Sequence, residues 1–420
     1  MPERSDAALT SGGLTARRLR WVLLSLTVSL SLGLVASTIY VPSVPAIAIG
    51  LHTSVRLVQF TFVAYLLAFA TSMLVVGPLS DRFGRKRTLV CGLVVCALSS
   101  IGCAAAPTIE VLIAARFLQG IGGCAGMVIG RALTRDLWAP KAAAQVIAGR
   151  VIASTLMQAF APVLGGYLQV WFGWRANFVA VLALSCVAVV LAICALPRGT
   201  ATERQSAERG GVLAGYRTLI VARRFVGYAF SGAGAHAGFH IFAAGAPAIL
   251  IGEFGLTPEQ YGYYAALPPL GFILGSFVSK RLTGRLGIDG VIRIGMLVLV
   301  PAGFVMVALA LAHISHALIV VGPMIFICCG SGLITSNAAI GSLGTNPRIV
   351  GAASGLGSFI QMTGAATATA ALSLGPSGSP LVLASIIACA GLFCVTSFTW
   401  LMSSSQRSAA EADANAPAPG

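Results

Sequence analysis

The chain has 420 residues, of which 57% are hydrophobic and only 9% are charged, and its mean hydropathy is +0.90. This composition excludes a soluble globular protein, because a soluble chain of this length needs far more charge on its surface. The net charge of +15 does not indicate a nucleic-acid partner either, because the cations stand in short clusters between apolar runs, as they do beside membrane spans.

Twelve apolar runs long enough to cross about 30 Å of hydrocarbon follow a polar leader, residues 1–20. The predicted spans are 21–48, 57–77, 88–106, 109–132, 143–170, 175–196, 224–251, 259–281, 290–311, 315–339, 349–374 and 380–402. We therefore expect an all-α membrane protein with twelve transmembrane helices in two pseudo-symmetric six-helix bundles. The predicted parts are the leader 1–20, an N-terminal bundle 21–196, a linker 197–223, a C-terminal bundle 224–402 and a disordered tail 403–420.

The positions of the lysines and arginines predict the orientation of the chain in the membrane. If both termini are cytoplasmic, all 27 Lys and Arg residues fall on the cytoplasmic side except Arg56, Arg116 and Arg175. Such an asymmetry is not expected if a span is missed. The leader, the linker and the tail are therefore predicted to be cytoplasmic.

A weak internal repeat relates the two halves. The run Leu79–Gly84 aligns with Leu282–Gly287 at an offset of 203 residues. Repeated six-span halves are typical of transporters that hold a substrate at the membrane midplane between them. The second copy has Gly284 where the first has Asp81, so we expect any charge switch to be stronger in the first half.

A charged turn punctuated by glycines, residues 77–88, separates the second span from the third. Gly77-Pro78 is expected to weaken the end of the preceding helix, and Gly84 permits a tight reversal. Asp81 is a lone carboxylate among four cations, able to pair with an arginine or a helix N-terminus in one conformation and to release it in another. The candidates for this conformational switch are Gly77, Asp81, Arg82, Gly84 and Arg85.

This turn resembles the signature loop between helices 2 and 3 of major facilitator superfamily transporters. The resemblance implies the fold of that superfamily for the whole chain. The alternative interpretation is a positive stop-transfer loop that contains an incidental aspartate.

An arginine interrupts the fourth predicted span. Arg116 lies about six residues into the span, where its charge costs several kcal/mol unless it meets a partner or a water-filled cavity. The alternative is an arginine whose charged end reaches the membrane interface. The run Arg116–Gly123 resembles the fourth-helix motif of the superfamily, and the resemblance implies that Arg116 takes part in proton coupling.

A proline and two glycines, Pro162, Gly165 and Gly166, are predicted to bend the fifth span and to form a close contact surface. The surrounding sequence resembles the antiporter-type motif of drug exporters. The match is partial, because Met157 and Ala161 stand where the family has its first two glycines. A purely structural kink is an equally good interpretation.

Three further runs resemble the bicyclomycin and chloramphenicol resistance group of proton-linked drug exporters. They are Tyr40–Pro45, Arg135–Leu137 and Gly351–Gly355. The resemblance implies a multidrug efflux antiporter of the bacterial inner membrane. The group usually has an aspartate two residues before the tyrosine, and this chain has Thr38 there.

No acid is expected deep in the bundle, because all twelve carboxylates fall in loops, tails or span ends. We therefore expect a neutral or zwitterionic substrate, since a cation at the midplane would lack a counter-charge. His236 and His240, spaced i and i+4 in the seventh span, are candidate proton carriers, with polar packing as the alternative. The candidate substrate-binding residues are Thr38, Tyr40, Gln119, Gln158, Asn337 and Gln361.

The predicted function is secondary active export of small amphipathic drug-like molecules by alternating access, coupled to protons. An importer of a neutral nutrient or metabolite is the first alternative. A membrane-embedded enzyme or receptor is the second, and the chain lacks HExxH, GxSxG within a span and a Walker-type GxxxxGK[ST]. We expect a functional monomer without metal or cofactor, whose partners are the substrate, protons and the lipid bilayer.

Overall fold

A computed structural model describes residues 16–197, 212–314, 316–345, 349–376 and 378–414, and within these ranges the chain is helical and contains no strand. The helices are α1 (Ala16–Thr38), α2 (Val44–Gly50), α3 (Val55–Phe83), α4 (Arg85–Ala105), α5 (Ile109–Leu137), α6 (Pro140–Phe172), α7 (Arg175–Ala195), α8 (Val212–Val221), α9 (Arg223–Pro247), α10 (Pro258–Leu311), α11 (Leu318–Gly344), α12 (Val350–Leu372) and α13 (Pro380–Ala414). A 3₁₀ turn, Val41–Ser43, joins α1 to α2, and a π-helical turn, Ala248–Glu253, follows α9.

The described part of the chain contains ten helical segments that are long and apolar enough to cross a membrane. One of them, the 54-residue α10, is two helices in succession, because its backbone is non-helical at Gly287. The 23-residue α12 adds a further helix of spanning length, rich in glycine, alanine, serine and threonine. The chain thus has the twelve transmembrane helices that the sequence predicts.

Two glycines with positive φ mark equivalent turns in the two halves. Gly84 (φ 92°) lies between α3 and α4, and Gly287 (φ 69°) breaks α10. A side chain with a Cβ rarely adopts this backbone conformation, so glycine is required at both turns. The two positions are 203 residues apart, which supports the offset of the internal repeat.

The first span contains a break that the sequence prediction does not include. α1 ends at Thr38, and the helical path resumes only in α2 after the 3₁₀ turn. Pro42 and Pro45 explain the break, because neither can donate the backbone N–H that a continuous helix needs. Asn177 in α7 holds the turn by donating from its side-chain nitrogen to Ser43 Oγ at 2.8 Å.

The second span ends later than the sequence predicts. α3 continues through Gly77-Pro78 and ends at Phe83. A proline removes one helical donor, and here that loss does not end the helix. After the proline, the Ser80 hydroxyl donates to the Gly77 carbonyl at 2.7 Å, a bond within the last turns of the helix. Asp81 and Arg82 consequently lie in the last turn of a helix and not in a loop.

Helices also lie in two segments predicted to be outside the bundles, the linker and the tail. α8 lies inside the predicted linker 197–223, of which residues 198–211 lie outside the described part. α13 continues to Ala414, well into the predicted disordered tail 403–420, because its alanine and serine residues tolerate a helix and its prolines come later.

The leader 1–20 is also partly helical, because α1 begins at Ala16; residues 1–15 are not among those described.

Contacts divide the chain into two units. The first comprises 1–210, 243–270 and 373–379, and the second comprises 211–242, 271–372 and 380–420. In the first unit α5 is the central helix and packs most extensively against α3 and α4. The glycines of α5 permit this packing, since a Cβ at Gly120 or Gly122 would overlap backbone atoms of α3 or α4.

Candidate functional site

A buried arginine occupies the interior of the first unit. Arg116, on α5, has no solvent exposure. Its Nη1 donates to the Ala36 carbonyl at 2.9 Å and to Gln119 Oε1. Gln119 Nε2 in turn donates to Ser100 Oγ at 2.7 Å. These bonds connect α5 to α1 and α4, so the charged group is held by three helices.

Two tyrosine rings cover the faces of this guanidinium. The Arg116 Cζ atom lies 4.3 Å from the ring centroids of both Tyr40 and Tyr65. The rings are fixed in turn, because the Tyr40 hydroxyl is hydrogen-bonded to Thr61 Oγ1 at 2.9 Å and the Tyr65 hydroxyl donates to the Gly33 carbonyl at 2.6 Å. Stacking on both faces stabilises a cation in a dry interior.

The charge of Arg116 has no acidic counterpart. Among the described residues, no carboxylate lies within ion-pair distance of it, and its Nε and Nη2 atoms make no hydrogen bond. Full burial also excludes the alternative that its charged end reaches the membrane interface. The interior of the first unit therefore carries an uncompensated positive charge.

Three predicted substrate-binding residues lie in the same interior as Arg116 and bond to other parts of the protein. Tyr40 and Gln119 hold Arg116 directly. Thr38 is buried, and its hydroxyl donates to the Leu34 carbonyl at 3.3 Å. Their polar groups thus have partners within the protein.

A second cluster, the charged rim, consists of Asp81, Arg85 and Asp136. Arg85 Nη1 lies 3.2 Å from Asp81 Oδ1, and Arg85 Nε lies 2.5 Å from Asp136 Oδ2. The arginine therefore joins the end of α3 to the end of α5. The prediction that Asp81 is a lone carboxylate is wrong, because folding brings Asp136 from the far end of α5 to the same arginine.

The other residues of the charged turn have different roles. Arg82 is exposed, and its Cζ lies 5.5 Å from the Phe83 ring centroid. A Cβ added at Gly77 would make only an ordinary van der Waals contact with Val128. Lys86 Nζ donates to two carbonyls at the end of α7, at 2.6 and 2.7 Å. A cation at a helix C-terminus satisfies free carbonyls and complements the helix dipole.

The predicted helix-bend residues form a close contact surface at the opposite end of the first unit. Pro162 lies inside the continuous helix α6. A Cβ at Gly165 would overlap the Ile39 carbonyl, and a Cβ at Gly166 would overlap the Pro258 carbonyl at the start of α10. On the facing helix α10, a Cβ added at Gly262 would lie 2.8 Å from the Pro162 carbonyl oxygen. The bend itself stays a prediction.

The remaining polar candidates divide into bonded and unbonded groups. Asn337 is buried in the second unit, donates from Nδ2 to Ser279 Oγ at 2.7 Å and accepts from Thr283 Oγ1 at 2.9 Å. It therefore connects α11 to α10. Gln158 and Gln361 are half-buried, and their amides make no hydrogen bond within the described part of the chain.

The two predicted proton carriers lie against each other on α9. His236 Nε2 and His240 Nε2 are 3.2 Å apart, and the ring centroids are 4.9 Å apart. His240 is buried and His236 is half-buried. The Phe239 ring covers His240 at a centroid distance of 5.4 Å.

Arg150 on α6 is a second buried arginine that sequence reasoning missed. Its Nη1 donates to the Gly130 carbonyl and to Thr134 Oγ1, both at 2.8 Å, and its Nη2 donates to the Leu26 carbonyl at 2.7 Å. Its position inside the predicted span 143–170 already indicates a buried side chain. Counting it among the cytoplasmic cations concealed its burial.

Twelve spans, a buried cation and a charged rim define a multi-pass membrane transporter. A family model of the Major Facilitator Superfamily matches residues 26–369, and the chain therefore belongs to that superfamily. Its members are transporters and not enzymes.

Two curated relatives and one solved structure are similar to the chain. The bicyclomycin resistance protein homolog of Haemophilus influenzae is 27% identical over 318 residues, which covers 76% of this chain and 80% of the relative. Multidrug resistance protein D of Escherichia coli is 27% identical over 353 residues and covers 82% of this chain and 86% of its own. The crystal structure of a D-xylose-proton symporter has a TM-score of 0.73 at 13% identity, covers 90% of this chain and 97% of its own, and shows the shared fold.

Proposed function

We propose that this chain exports small amphipathic, neutral or zwitterionic, drug-like molecules by alternating access in exchange for protons. Relatives named for bicyclomycin resistance and for multidrug resistance support export over import of a nutrient. The charge of the interior supports the substrate class.

The observation that carries the substrate class is the uncompensated charge of Arg116. In the described part of the chain, the carboxylates with a described side chain lie at helix ends or beside the break in α10; they are Asp81, Glu110, Asp136, Glu253, Glu259 and Asp289. A cationic substrate would meet a fixed positive charge in a medium of low dielectric, with no acid to offset it. A neutral molecule avoids this cost, and a zwitterion can place its anionic end toward the guanidinium.

Arg116 is the proposed proton-coupling residue of the first unit. A guanidinium keeps its proton, so it acts by its position and charge and does not itself release a proton. Rearrangement of its hydrogen bonds to α1 and Gln119 would change the electrostatic potential felt by a protonated partner. That His236 and His240 carry the transported proton stays a prediction.

The charged rim is the proposed conformational switch. Arg85 joins two carboxylates from different helices, so movement of α3 relative to α5 must lengthen one of the two ion pairs. Asp81 is the more exposed partner, with 37% of its side chain accessible against 9% for Asp136. We expect the Asp81 pair to open first, because water solvates that carboxylate most readily.

The amides of Gln158 and Gln361 are the proposed substrate contacts. Both lack a hydrogen-bond partner within the described residues, whereas Thr38, Tyr40, Gln119 and Asn337 have one. A half-buried amide without a partner has a donor and an acceptor to offer to a polar ligand atom. We therefore assign substrate recognition to these two side chains.

The proposed setting is the bacterial inner membrane, with both termini cytoplasmic. The distribution of lysine and arginine supports this orientation. The chain is proposed to work as a monomer, with a proton gradient as its energy source and without a bound cofactor.

Transport into everted membrane vesicles tests the proposal. Vesicles from a pump-deficient host that expresses the chain should accumulate neutral and zwitterionic antibacterials when an inward-acid gradient is present. An ionophore that collapses the gradient should abolish this accumulation. His313→Gln, at an exposed position in the described part, serves as the matched control for expression and should transport normally.

Two results would contradict the proposal. The first is preferential transport of permanently cationic dyes, which would remove the argument from the charge of Arg116. The second is import of the same antibacterials by intact cells, which would favour the importer alternative. A His236→Gln, His240→Gln double variant that keeps gradient-driven transport would exclude the two histidines as proton carriers.

A further inference from the structure

The two imidazoles of α9, which are the candidate proton carriers, also lie in a geometry that suits a second role. His236 and His240 are one helical turn apart, and their Nε2 atoms, not their Nδ1 atoms, face each other at 3.2 Å. All five histidines of the chain are in the described part, and the other three, His52, His313 and His316, are exposed. This is thus the one histidine pair within a predicted span.

We propose that His236 and His240 form a binding site for one divalent transition-metal ion, coordinated by both Nε2 atoms. Imidazole nitrogens bind zinc at about 2.0–2.1 Å, so two such ligands on a tetrahedral ion lie about 3.3–3.4 Å apart. The observed separation of 3.2 Å is close to that edge. A small rotation of each ring about χ2 aims both lone pairs at one point.

The required tautomers are available without loss of a proton to solvent. The present contact uses one Nε2–H as donor and one Nε2 as acceptor. Metal binding needs a lone pair on both atoms, so the Nε2 proton moves to Nδ1 of the same ring. Both rings stay neutral, as imidazole ligands must be.

The protein supplies two ligands, and the remaining positions belong to water or to an anion. Within the described residues, no group of three or more His, Cys, Asp and Glu side chains is arranged to hold a metal ion. α9 carries no acid within its own length, so the charge of a bound ion is best offset by an exogenous anionic ligand. Imidazole donors favour ions of the Co²⁺, Ni²⁺ and Zn²⁺ type over Mg²⁺ or Ca²⁺.

The ion can approach from one side of the pair. His236 is half-buried, whereas His240 is 3% exposed and lies beneath the Phe239 ring. We therefore expect His236 to bind first and His240 to complete the site. Exchange of the ion should be governed by the exposed ring.

Titration of the purified full chain with Co²⁺ tests the site. The background variant is His52→Gln, His313→Gln and His316→Gln, which removes the exposed histidines as competing ligands. We expect one Co²⁺ per chain, with visible bands of a low-coordinate ion and without the sulfur-to-cobalt charge-transfer band that a cysteine ligand produces. Adding His236→Gln or His240→Gln should weaken binding at least about tenfold, because even residues outside the ligand shell change metal affinity by that factor.

Phe239→Leu is the matched control within the same turn, and it should keep the stoichiometry and the spectrum. A second measurement leaves both histidines of the pair in place. Zn²⁺ should protect His236, the more exposed of the two rings, from acylation by diethyl pyrocarbonate in the background variant. Unchanged Co²⁺ binding in the single-histidine variants, a charge-transfer band from sulfur, or acylation unaffected by Zn²⁺ would each overturn the proposal.

Discussion

Replacing Arg116 by lysine separates the shape of the buried cation from its charge. The lysine ammonium keeps the positive charge but has no planar face and no second terminal nitrogen. We expect Arg116→Lys to fold less stably than the unmodified chain and to lose proton-coupled transport. The Ala36 carbonyl and Gln119 Oε1 both accept from the single Nη1 atom, so an ammonium with three N–H donors can still serve them, and the expected loss is that of the stacked planar group.

The expected cost follows from the contacts of the guanidinium. Arginine stacks on Tyr40 and Tyr65 at 4.3 Å each, and each such contact is worth about 0.5–2 kcal/mol. The two contacts together correspond to a destabilisation of about 1–4 kcal/mol. Arg116→Met should cost less than this upper value, because it also removes a buried charge that has no acidic partner.

Thermal unfolding in detergent, followed by tryptophan fluorescence, measures the stability order, and vesicle transport measures coupling. The expected order of melting temperatures is the unmodified chain, then Arg116→Met and Arg116→Lys below it. Tyr65→Phe is the control, since it keeps the stacked ring and loses only one hydroxyl. A lysine variant that melts and transports like the unmodified chain would refute the reasoning, because charge alone would then suffice.

Three further predictions concern other parts of the molecule. Asp81→Asn removes the more exposed ion pair of the charged rim, so the free energy of unfolding should change by less than about 1 kcal/mol. Transport should fall while substrate affinity stays constant, and binding and flux assays on the same preparation measure both. Gly165→Ala should lower the melting temperature by the equivalent of about 1–3 kcal/mol, because the added Cβ meets a backbone carbonyl. Gly149→Ala on the same helix is the control, and it should be neutral or stabilising because no atom lies within 4 Å of the added carbon. Equal melting temperatures of the two variants would contradict this prediction. Asn337→Ala should destabilise by about 1–3 kcal/mol because it removes the buried hydrogen bonds to Ser279 Oγ and Thr283 Oγ1. Gln158→Ala should instead weaken ligand binding at unchanged stability, and the reverse pattern would exchange their roles.

The sequence was sufficient for the number of spans, because that number depends on local composition. It was not sufficient for the end of α3, which passes Gly77-Pro78 and ends at Phe83. Length and hydropathy locate a transmembrane helix without tertiary information. The offset between Gly84 and Gly287 was also readable, since both turns need a residue without a Cβ. The sequence predicts Arg116 within a span, and its full burial in the structure decides against the alternative that its charged end reaches the membrane interface.

Partners from distant parts of the chain could not be read in the same way. Asp136 joins the charged rim only because α5 runs antiparallel to α4 and brings its C-terminal end back to Arg85 at the start of α4. The burial of Arg150 depends on a glycine of α5 that leaves room for its guanidinium. Asn337 looked like a residue that faces the substrate, yet Ser279 and Thr283 satisfy it. The deciding neighbours lie at least 20 residues away along the chain.

The two ends of the first unit should respond differently to dissolved salt. Gly165, Gly166 and Gly262 meet main-chain atoms, which carry no net charge, so ions in solution have little to screen in these contacts. The charged rim, in contrast, is held by attraction between opposite charges that are partly open to water. Raising the ionic strength therefore loosens one end of this molecule while leaving the other as it was, so an electrolyte alone could bias which face of the membrane the transporter serves.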